Sequence, residues 1–325
     1  MPARLVPAGI SSARKWFVVP FPPMSFNELE FVEWISHHAP GSPLLRQGIG
    51  DDMACLCIGG EEILLSSDML LDGIHFDSRT QPMERIGQKA LACSLSDCAA
   101  MAVRPCTATI SVAFPSALSL DDAQCLFRGI FSLAEKFDVA IAGGDTTRGS
   151  ASLSIDVAVV ATPWKGLRPV LRSEARAGDR LYVTGCLGGS SAGKHLRFVP
   201  RVAEAKSIAE SLGSRLHAMI DITDGLSLDL WRVCKASRVG ARLDEESLER
   251  VISQDAKSMA AVERVAPLWH ALQDGEDFEL LLAVDGEAEV QTCPLFEIGV
   301  VKESGFELKR RGGTIETLEP RGFVH

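Results

Sequence analysis

The sequence lacks long hydrophobic runs and has no excess of basic residues, and each absence excludes a class of protein. The longest apolar runs in the 325 residues, such as Val157 to Thr162, have the length of a strand and not of a membrane-spanning helix. The formal net charge of -10 argues against a nucleic-acid surface, which requires clustered lysine and arginine. We therefore expect neither a membrane nor a nucleic acid as partner, although a nucleotide would fit if metal ions neutralised its phosphates.

The nine cysteines are scattered and form no C-x-x-C pair, which argues against a zinc site or a thioredoxin-like motif. Most of them lie in apolar stretches, as small buried side chains do. Free cysteines of this kind are typical of a reducing compartment, so we predict a cytoplasmic protein.

The first 23 residues contain basic but no acidic side chains, and no apolar run long enough for a signal peptide. Ser25 and Glu28 then form an S-x-x-E capping box, followed by apolar residues at helical spacing. We predict that the fold begins near Met24, and that residues 1–23 are a disordered tail or reflect an early translation start.

Strand-like apolar runs alternate with helical patterns along the rest of the chain, which predicts an α/β or α+β fold. The loop-like stretch between Pro163 and Arg176 leads into a new strand-like run. We therefore predict two domains, residues 24–165 and residues 166–325.

Acidic residues recur at the predicted ends of the strand-like runs: Asp68, Asp145, Asp221, Asp224, Glu276 and Asp277. Ligand sites in α/β proteins lie where strands end. Carboxylates gathered there would repel one another unless cations lay between them. The adjacent Asp51 and Asp52 in "GIGDD" raise the same requirement, although a glycine-rich turn with solvated acids is an equally acceptable interpretation.

The hydroxyls of Ser66 and Ser67 precede Asp68, and oxygen ligands of this kind suit Mg²⁺. An ordinary turn after a strand is the alternative. His75 follows seven residues later, and a lone histidine is more often structural than a ligand.

Asp97 lies within an alanine- and leucine-rich helical pattern, where an unpaired carboxylate would be costly. A capping or ion-paired acid is the alternative. No basic residue lies within one helical turn of it, so a functional role is favoured.

Two further motifs combine acids with turn residues. In "GGDTTRG", Gly143 and Gly144 would let the backbone approach a phosphate, and Asp145 could hold a metal. In "DITDG", Asp221 and Asp224 bracket a turn that enters a helix, whose N-terminus favours anions. Asp224 could instead be a plain N-cap, which would explain only one of the two acids.

Taken in order, the motifs resemble those of the thiamine-monophosphate kinase family, which is related to aminoimidazole ribonucleotide synthetase. The resemblance runs from about Ser25 to the C-terminus. It is carried by "GIGDDMA", "SSDMLLDGIHF", "SLSDCAAMAVRP", "GGDTTRG", "VLRSEARAGDRLYVTG", "DITDGL", "GEDFELLL" and "RGF".

The resemblance implies a two-domain aminoimidazole ribonucleotide synthetase-like fold, a homodimer formed through the sheet of the N-terminal domain, and phosphorylation of thiamine monophosphate by ATP. It implies several Mg²⁺ ions bound by Asp52, Ser66, Ser67, Asp68, Asp97, Asp145, Asp221 and Asp224, with Asp51 ranked second to Asp52. The implied ATP contacts are Gly144, Asp145, Arg172 and Thr223. The implied contacts to thiamine phosphate are His75, Glu276 and Phe323.

The sequence departs from the family pattern at Ser94, Thr223, Asp274 and Phe323, where the family has asparagine, serine, glycine and tyrosine or tryptophan. We interpret these departures as affecting substrate contacts more than metal ligands. A purine-pathway synthetase of the same superfamily and a non-catalytic nucleotide-binding protein are the alternative functions.

The implied chemistry needs no general base. The second pKa of a phosphate monoester is about 6, so the acceptor is already a nucleophile at neutral pH. We therefore expect direct in-line transfer that depends on positioning and charge neutralisation.

Overall fold

The computed structural model describes residues 28–290 and 294–323. The first helix, α1 (Glu28–His38), belongs to a separate small unit that ends at Ala39. The predicted tail and Ser25 of the predicted capping box lie outside the described residues. Among the described residues, no helix has both the length and the apolar composition needed to cross a bilayer.

The chain from Pro40 onward contains two sheets and seven further helices among its described residues. The helices are α2 (Met83–Ala100), α3 (Leu120–Lys136), α4 (Val202–Leu212), α5 (Leu226–Ser237), α6 (Glu245–Leu248), α7 (Gln254–Glu263) and α8 (Pro267–Gln273). The strands are β1 (Leu45–Gln47), β2 (Ala54–Ile58), β3 (Glu61–Leu71), β4 (Val103–Pro115), β5 (Ala140–Ser150), β6 (Ser154–Pro163), β7 (Arg180–Val183), β8 (Leu216–Asp221), β9 (Gly240–Asp244), β10 (Leu280–Val284), β11 (Phe296–Lys302), β12 (Phe306–Lys309) and β13 (Ile315–Thr317).

Both sheets are mainly antiparallel. The first has six strands in the order β1-β2-β3-β6-β4-β5, and its single parallel pair is β4 with β5. The second has seven strands in the order β13-β12-β9-β11-β7-β10-β8, and its single parallel pair is β12 with β9. The mixed α and β class is as predicted, and the antiparallel pairing places it on the α+β side.

The central helix α2 packs between the two sheets, against β3 and β6 on one side and β8 on the other. Its buried residues include Leu91 and Leu95, which share one apolar cluster with Ile155 of the first sheet and Leu282 of the second. Alternate residues of the second sheet, such as Leu281, point to a second cluster that contains residues of α5 and α8. Neighbouring residues of one strand therefore pack into two different apolar cores.

The predicted boundary at residue 165 falls between the last strand of the first sheet and the first strand of the second. The apolar cluster around α2 nevertheless includes residues from both sides of that boundary. The division into two domains stays a prediction.

Two acids predicted to end strands lie inside them. Asp68 is followed by three more residues of β3, and Asp145 lies in the middle of β5. Asp221 does end its strand, β8. The strand-end prediction is thus wrong for Asp68 and Asp145, because hydroxyl and glycine residues that resemble turn signals here continue as paired strands.

Candidate active site

Three carboxylates from different parts of the chain converge on one point. Asp52, Asp97 and Asp221 each offer an oxygen atom, and these atoms all lie within 4.8 Å of one another. Asp52 precedes β2, Asp97 lies in the last turns of α2 and Asp221 ends β8. The packing of α2 between the two sheets is what brings them together.

The electrostatics of this cluster favour a cation. Burial, and after it the negative charges of Asp68 and Asp221, raises the pKa of Asp97 well above its ordinary value. Burial and the charge of Asp52 do the same to the pKa of Asp221. Among the described residues no basic side chain lies within ion-pair distance of Asp97, so the ion-paired alternative for this acid is not what the structure shows.

Asp68 lies beside this cluster on β3. Ser94 of α2 donates a hydrogen bond of 2.6 Å to its carboxylate. Burial and the charge of the neighbouring Asp156 raise the pKa of Asp68. Ser94 is one of the departures from the family pattern, which we expected to affect substrate contacts more than metal ligands. Its hydrogen bond is instead to Asp68, a predicted metal ligand.

Arg172 supplies the positive charge nearest to the paired acids. Its Nε donates to Asp52 at 3.0 Å and its Nη2 contacts the other oxygen of the same carboxylate. The backbone N–H of Arg172 lies 3.3 Å from an oxygen of Asp51. Burial, followed by the charge of Asp52, nevertheless raises the pKa of Asp51 to about 6.

The turn of the "DITDG" motif is held by an acid that was not predicted from the sequence. Asp229 is buried, and one of its oxygens accepts the backbone N–H groups of Thr223 and Asp224 at 3.0 Å each. Arg232 forms ion pairs with both Asp229 and Asp224. Asp224 is not the N-cap of α5, since that position is Gly225.

The C-terminal segment folds back over this turn. The backbone N–H of Phe323 donates to the carbonyl of Asp224 at 2.8 Å. A Cβ on Gly322 would lie 2.1 Å from the same carbonyl oxygen, so only glycine allows this approach. The ring of Phe323 is thereby placed at the site with 37% of the residue exposed.

The acceptor-side residues predicted from the resemblance are joined by a lysine that was not predicted from the sequence. Lys89 of α2 contacts Glu276 Oε1 and the backbone carbonyl of His75. The Nδ1 atom of His75 accepts the N–H of Leu71 at 3.0 Å. The sequence did contain a signal for Lys89. It lies eight residues before Asp97 in the same helical pattern, which places the two side chains on neighbouring sides of one helix.

One cavity of about 470 Å³ lies among these groups. All predicted site residues except two contribute to it: Asp52, Ser66, Ser67, Asp68, His75, Asp97, Arg172, Asp221, Thr223, Asp224, Glu276 and Phe323. Asp51, Cys93 and Phe278 also line it. The assigned roles of these residues stay predictions.

Gly144 and Asp145 are the two exceptions. They lie on β5, the exposed edge strand, and Asp145 is in register with Ser111 of β4. Three strand intervals separate β5 from β3, which amounts to roughly 14 Å. A Cβ on Gly144 would lie 1.7 Å from the carbonyl oxygen of Ile110, so strand pairing alone accounts for this glycine.

The donor set fits a hard divalent cation. Its members are carboxylates and hydroxyls, which are the ligands that Mg²⁺ prefers. Ser66 Oγ is buried, and among the described residues it has no hydrogen-bond partner of ordinary geometry. A cation would offset the mutual repulsion of Asp52, Asp97 and Asp221 and give Ser66 a partner, directly or through water.

The comparisons with known proteins agree with this arrangement. Residues 50–162 match the family described as AIR synthase related protein, N-terminal domain. This chain is 38% identical to the thiamine-monophosphate kinase of Rhodopirellula baltica over 313 residues. The matched region covers 92% of this chain and 97% of the relative. The chain belongs to the thiamine-monophosphate kinase family.

Other members of the thiamine-monophosphate kinase family show the same relation. The enzyme of Escherichia coli O157:H7 is 35% identical over 261 residues, covering 73% of this chain and 76% of the relative. The solved structure of AaThiL complexed with AMPPCP and TMP has a TM-score of 0.80 and 28% identity, covering 92% of this chain and 97% of that one. The fold and the resemblance inferred from the motifs are thus confirmed.

Proposed function

We propose that this protein transfers the γ-phosphoryl group of ATP to thiamine monophosphate, producing thiamine diphosphate and ADP. The observation that carries the proposal is the convergence of Asp52, Asp97 and Asp221 in one cavity of a chain from this kinase family. The name of the relatives and the AMPPCP and TMP of the AaThiL complex support these two substrates.

We assign several Mg²⁺ ions to the acidic part of the cavity. Asp52, Asp97 and Asp221 would hold one, with Asp68, Asp224 and the hydroxyls of Ser66 and Ser67 as further ligands. When bound, the ions supply charge neutralisation for the transferred phosphoryl group. The role of Asp145 as a metal ligand rests on the resemblance alone, because it lies outside the cavity.

Arg172 is assigned to the ATP phosphates together with Thr223. Its guanidinium contacts both oxygens of Asp52, so it neutralises that acid in the free protein. A carboxylate has about four lone-pair sites, so Asp52 can bind a cation while it accepts from Arg172. The guanidinium has five N–H donors, and those not used by Asp52 are assigned to a phosphate of ATP. Gly144 and Asp145 are assigned to ATP on the resemblance alone.

His75, Glu276 and Phe323 are assigned to the acceptor. The thiazolium ring of thiamine is cationic, and the ring of Phe323 can stack on it or on the pyrimidine. The carboxylate of Glu276 also lines the cavity and offers a negative charge. His75 follows β3, the strand that contains Asp68, and is assigned to the acceptor phosphate.

The reaction we propose is a direct in-line displacement. An oxygen of the acceptor phosphate forms a bond to the γ-phosphorus as the bond from that phosphorus to the β,γ-bridging oxygen breaks. The electron pair of that bond leaves with ADP. The work of the protein is to hold two anions in line, so no side chain is assigned as a general base.

We also propose a homodimer formed through the outer face of the first sheet. Ile58, Leu65 and Met69 are exposed there, with 48%, 42% and 59% of each residue accessible, and Leu65 and Met69 also line the cavity, which would then lie beside the interface. Exposed apolar patches of this kind often mark an interface. A cytoplasmic location is part of the same proposal, and sedimentation or light scattering tests the dimer.

A comparison of three acceptors tests the reaction. The protein is supplied with ATP and Mg²⁺ together with thiamine monophosphate, thiamine or AMP. We expect diphosphate only from thiamine monophosphate, because thiamine lacks the nucleophilic phosphate and AMP lacks the thiazolium ring. Phosphorylation of thiamine, or equal use of AMP, would refute the assignment of the acceptor.

Stereochemistry tests the direct transfer. ATP carrying a chiral γ-phosphorothioate of known configuration is used as donor, and the configuration of the product is determined. A single in-line displacement inverts it. Retention would indicate two successive transfers and hence a phosphoenzyme.

A further inference from the structure

Lys89 is the largest fully buried side chain among the described residues, with 1% of the residue exposed. It lies in the middle of α2, a helix otherwise packed with small and apolar residues. A buried ammonium is costly unless it is paired and hydrogen-bonded. The contacts that stabilise the buried ammonium therefore indicate what Lys89 does.

The Nζ atom of Lys89 has three partners, which matches its three N–H donors. It forms an ion pair with Glu276 Oε1, donates to the carbonyl oxygen of His75, and lies 2.9 Å from Nδ1 of His195. Burial, followed by the charge of Lys89, lowers the pKa of His195 to about 4, so its imidazole is neutral and its Nδ1 can accept.

These partners come from separate parts of the chain. His75 follows β3 of the first sheet, whereas Glu276 precedes β10 of the second. Glu276 also has a positive φ of 52°, an uncommon conformation for a residue other than glycine. Its backbone is tied to Thr223, since its N–H donates to the Thr223 carbonyl at 2.6 Å. One ammonium thus fixes two segments that approach the cavity from opposite sheets.

The same helix carries the central metal-ligand candidate. Asp97 is eight residues beyond Lys89, which corresponds to about 12 Å along a helix. Cys93 lies between them and lines the cavity. The helix α2 therefore has the length to set the distance between the acidic cluster and the Glu276 end of the cavity.

We propose that Lys89 is a positioning residue for the acceptor, holding His75 and Glu276 in register with each other and with the acidic cluster on α2. It acts through these two residues and does not touch the reacting atoms. The inference rests on the proposed function, because it needs His75 and Glu276 to contact the acceptor.

Replacement of Lys89 by methionine tests the inference through the two Michaelis constants. We expect Lys89→Met to raise the KM for thiamine monophosphate at least about tenfold, while the KM for ATP changes less than about twofold. Lys136→Met is the matched control, because it removes a lysine charge from an exposed position of α3. The control should leave both constants unchanged.

The single variant leaves Glu276 without its ion-pair partner and could fail to fold. The double variant Lys89→Met with Glu276→Gln removes both charges and keeps a similar volume, so it is expected to fold. Because Lys89 acts through both Glu276 and His75, the KM of the double variant for thiamine monophosphate should lie above that of Glu276→Gln alone but below the product of the two single effects. A multiplicative effect of the two changes would overturn this coupling.

A rise of both Michaelis constants by the same factor would also overturn the inference, since it would indicate general damage to the cavity. Failure of the unaltered protein to make thiamine diphosphate would instead refute the proposed function. The two failures are distinguishable, because the second is seen before any variant is made.

Discussion

Asp97 is the residue at which burial and charge conflict most strongly. It lies in an apolar helix, within 4.8 Å of oxygen atoms of Asp52 and Asp221. Burial is the largest cause of its raised pKa, followed by the neighbouring negative charges. Such a carboxylate destabilises the protein without metal and gives its benefit only when a cation is bound.

We predict that Asp97→Asn abolishes phosphoryl transfer but does not lower the Tm measured in EDTA. The amide removes one negative charge from the cluster and keeps the shape of the side chain. The variant should also gain less Tm than the parent when Mg²⁺ and ATP are added. A lower Tm in EDTA together with normal turnover would mean that Asp97 is a structural acid.

Single residues were predictable from the sequence where their position was chemically costly. Asp97 and the pair Asp51 and Asp52 attract notice because acids there need a partner. Lys89 was not predicted, because its role depends on Glu276, which is far away in sequence. Asp229 was not predicted either, although its hydrogen-bond partners Thr223 and Asp224 lie close to it in sequence. No local pattern in "DGLSLDL" distinguishes the buried Asp229 from a solvated acid.

At the scale of elements, the C-terminal segment completes the cavity from outside the second sheet. Its course depends on Gly322, which passes the Asp224 carbonyl too closely for any Cβ. The hydrogen bond from Phe323 to the same carbonyl then fixes the position of the ring.

We predict that Phe323→Ala raises the KM for thiamine monophosphate by about twofold to about thirtyfold, with the KM for ATP nearly unchanged. The range corresponds to a cation–π contact of about 0.5–2 kcal/mol. Steady-state kinetics with each substrate varied in turn measures both constants. A rise confined to the KM for ATP would reverse our placement of the two substrates.

Gly322→Ala should produce the same selective effect while the aromatic ring is still present. The added Cβ displaces the segment from the Asp224 carbonyl and moves Phe323 with it. Gly312→Ala is a suitable control, since no atom lies within 4 Å of the position of its Cβ. Normal kinetics for Gly322→Ala would show that the position of this segment is unimportant for the acceptor.

Most elements were predictable from periodicity, whereas their ends were less so. The helix α3 has its start signal in the adjacent sequence, since Ser119 and Asp122 cap it reciprocally. The strand positions of Asp68 and Asp145 were not predicted, because residues that often form turns here continue in paired strands. The pairing partners, β6 and β4, are distant in sequence and override the local preference.

On the scale of the whole molecule, the acidic cavity couples stability to pH. The pKa of Asp51 is raised to about 6 by burial and by Asp52, and burial also raises the pKa values of Asp97 and Asp221 well above their ordinary value. A carboxyl whose folded pKa exceeds its unfolded value binds more protons when folded. Its contribution to stability is therefore lost as the pH rises between the two values.

We predict that the gain in Tm from Mg²⁺ increases as the pH is raised from about 4 to about 7. Protons and metal compete for the same carboxylates, so the cation binds best when the protons have left. Thermal melts in EDTA and in Mg²⁺ at each pH measure the difference. The Asp97→Asn variant should show a smaller increase, and an equal gain at every pH would argue against metal binding by these acids.

The central claim is that the cavity transfers a phosphoryl group between two phosphates, and product stoichiometry tests it most directly. Purified protein is incubated with ATP, Mg²⁺ and thiamine monophosphate, and the products are measured by chromatography and ³¹P NMR. We predict one thiamine diphosphate for each ADP, with no release of inorganic phosphate. Formation of ADP and inorganic phosphate without thiamine diphosphate, or no reaction at saturating substrates, would contradict the claim.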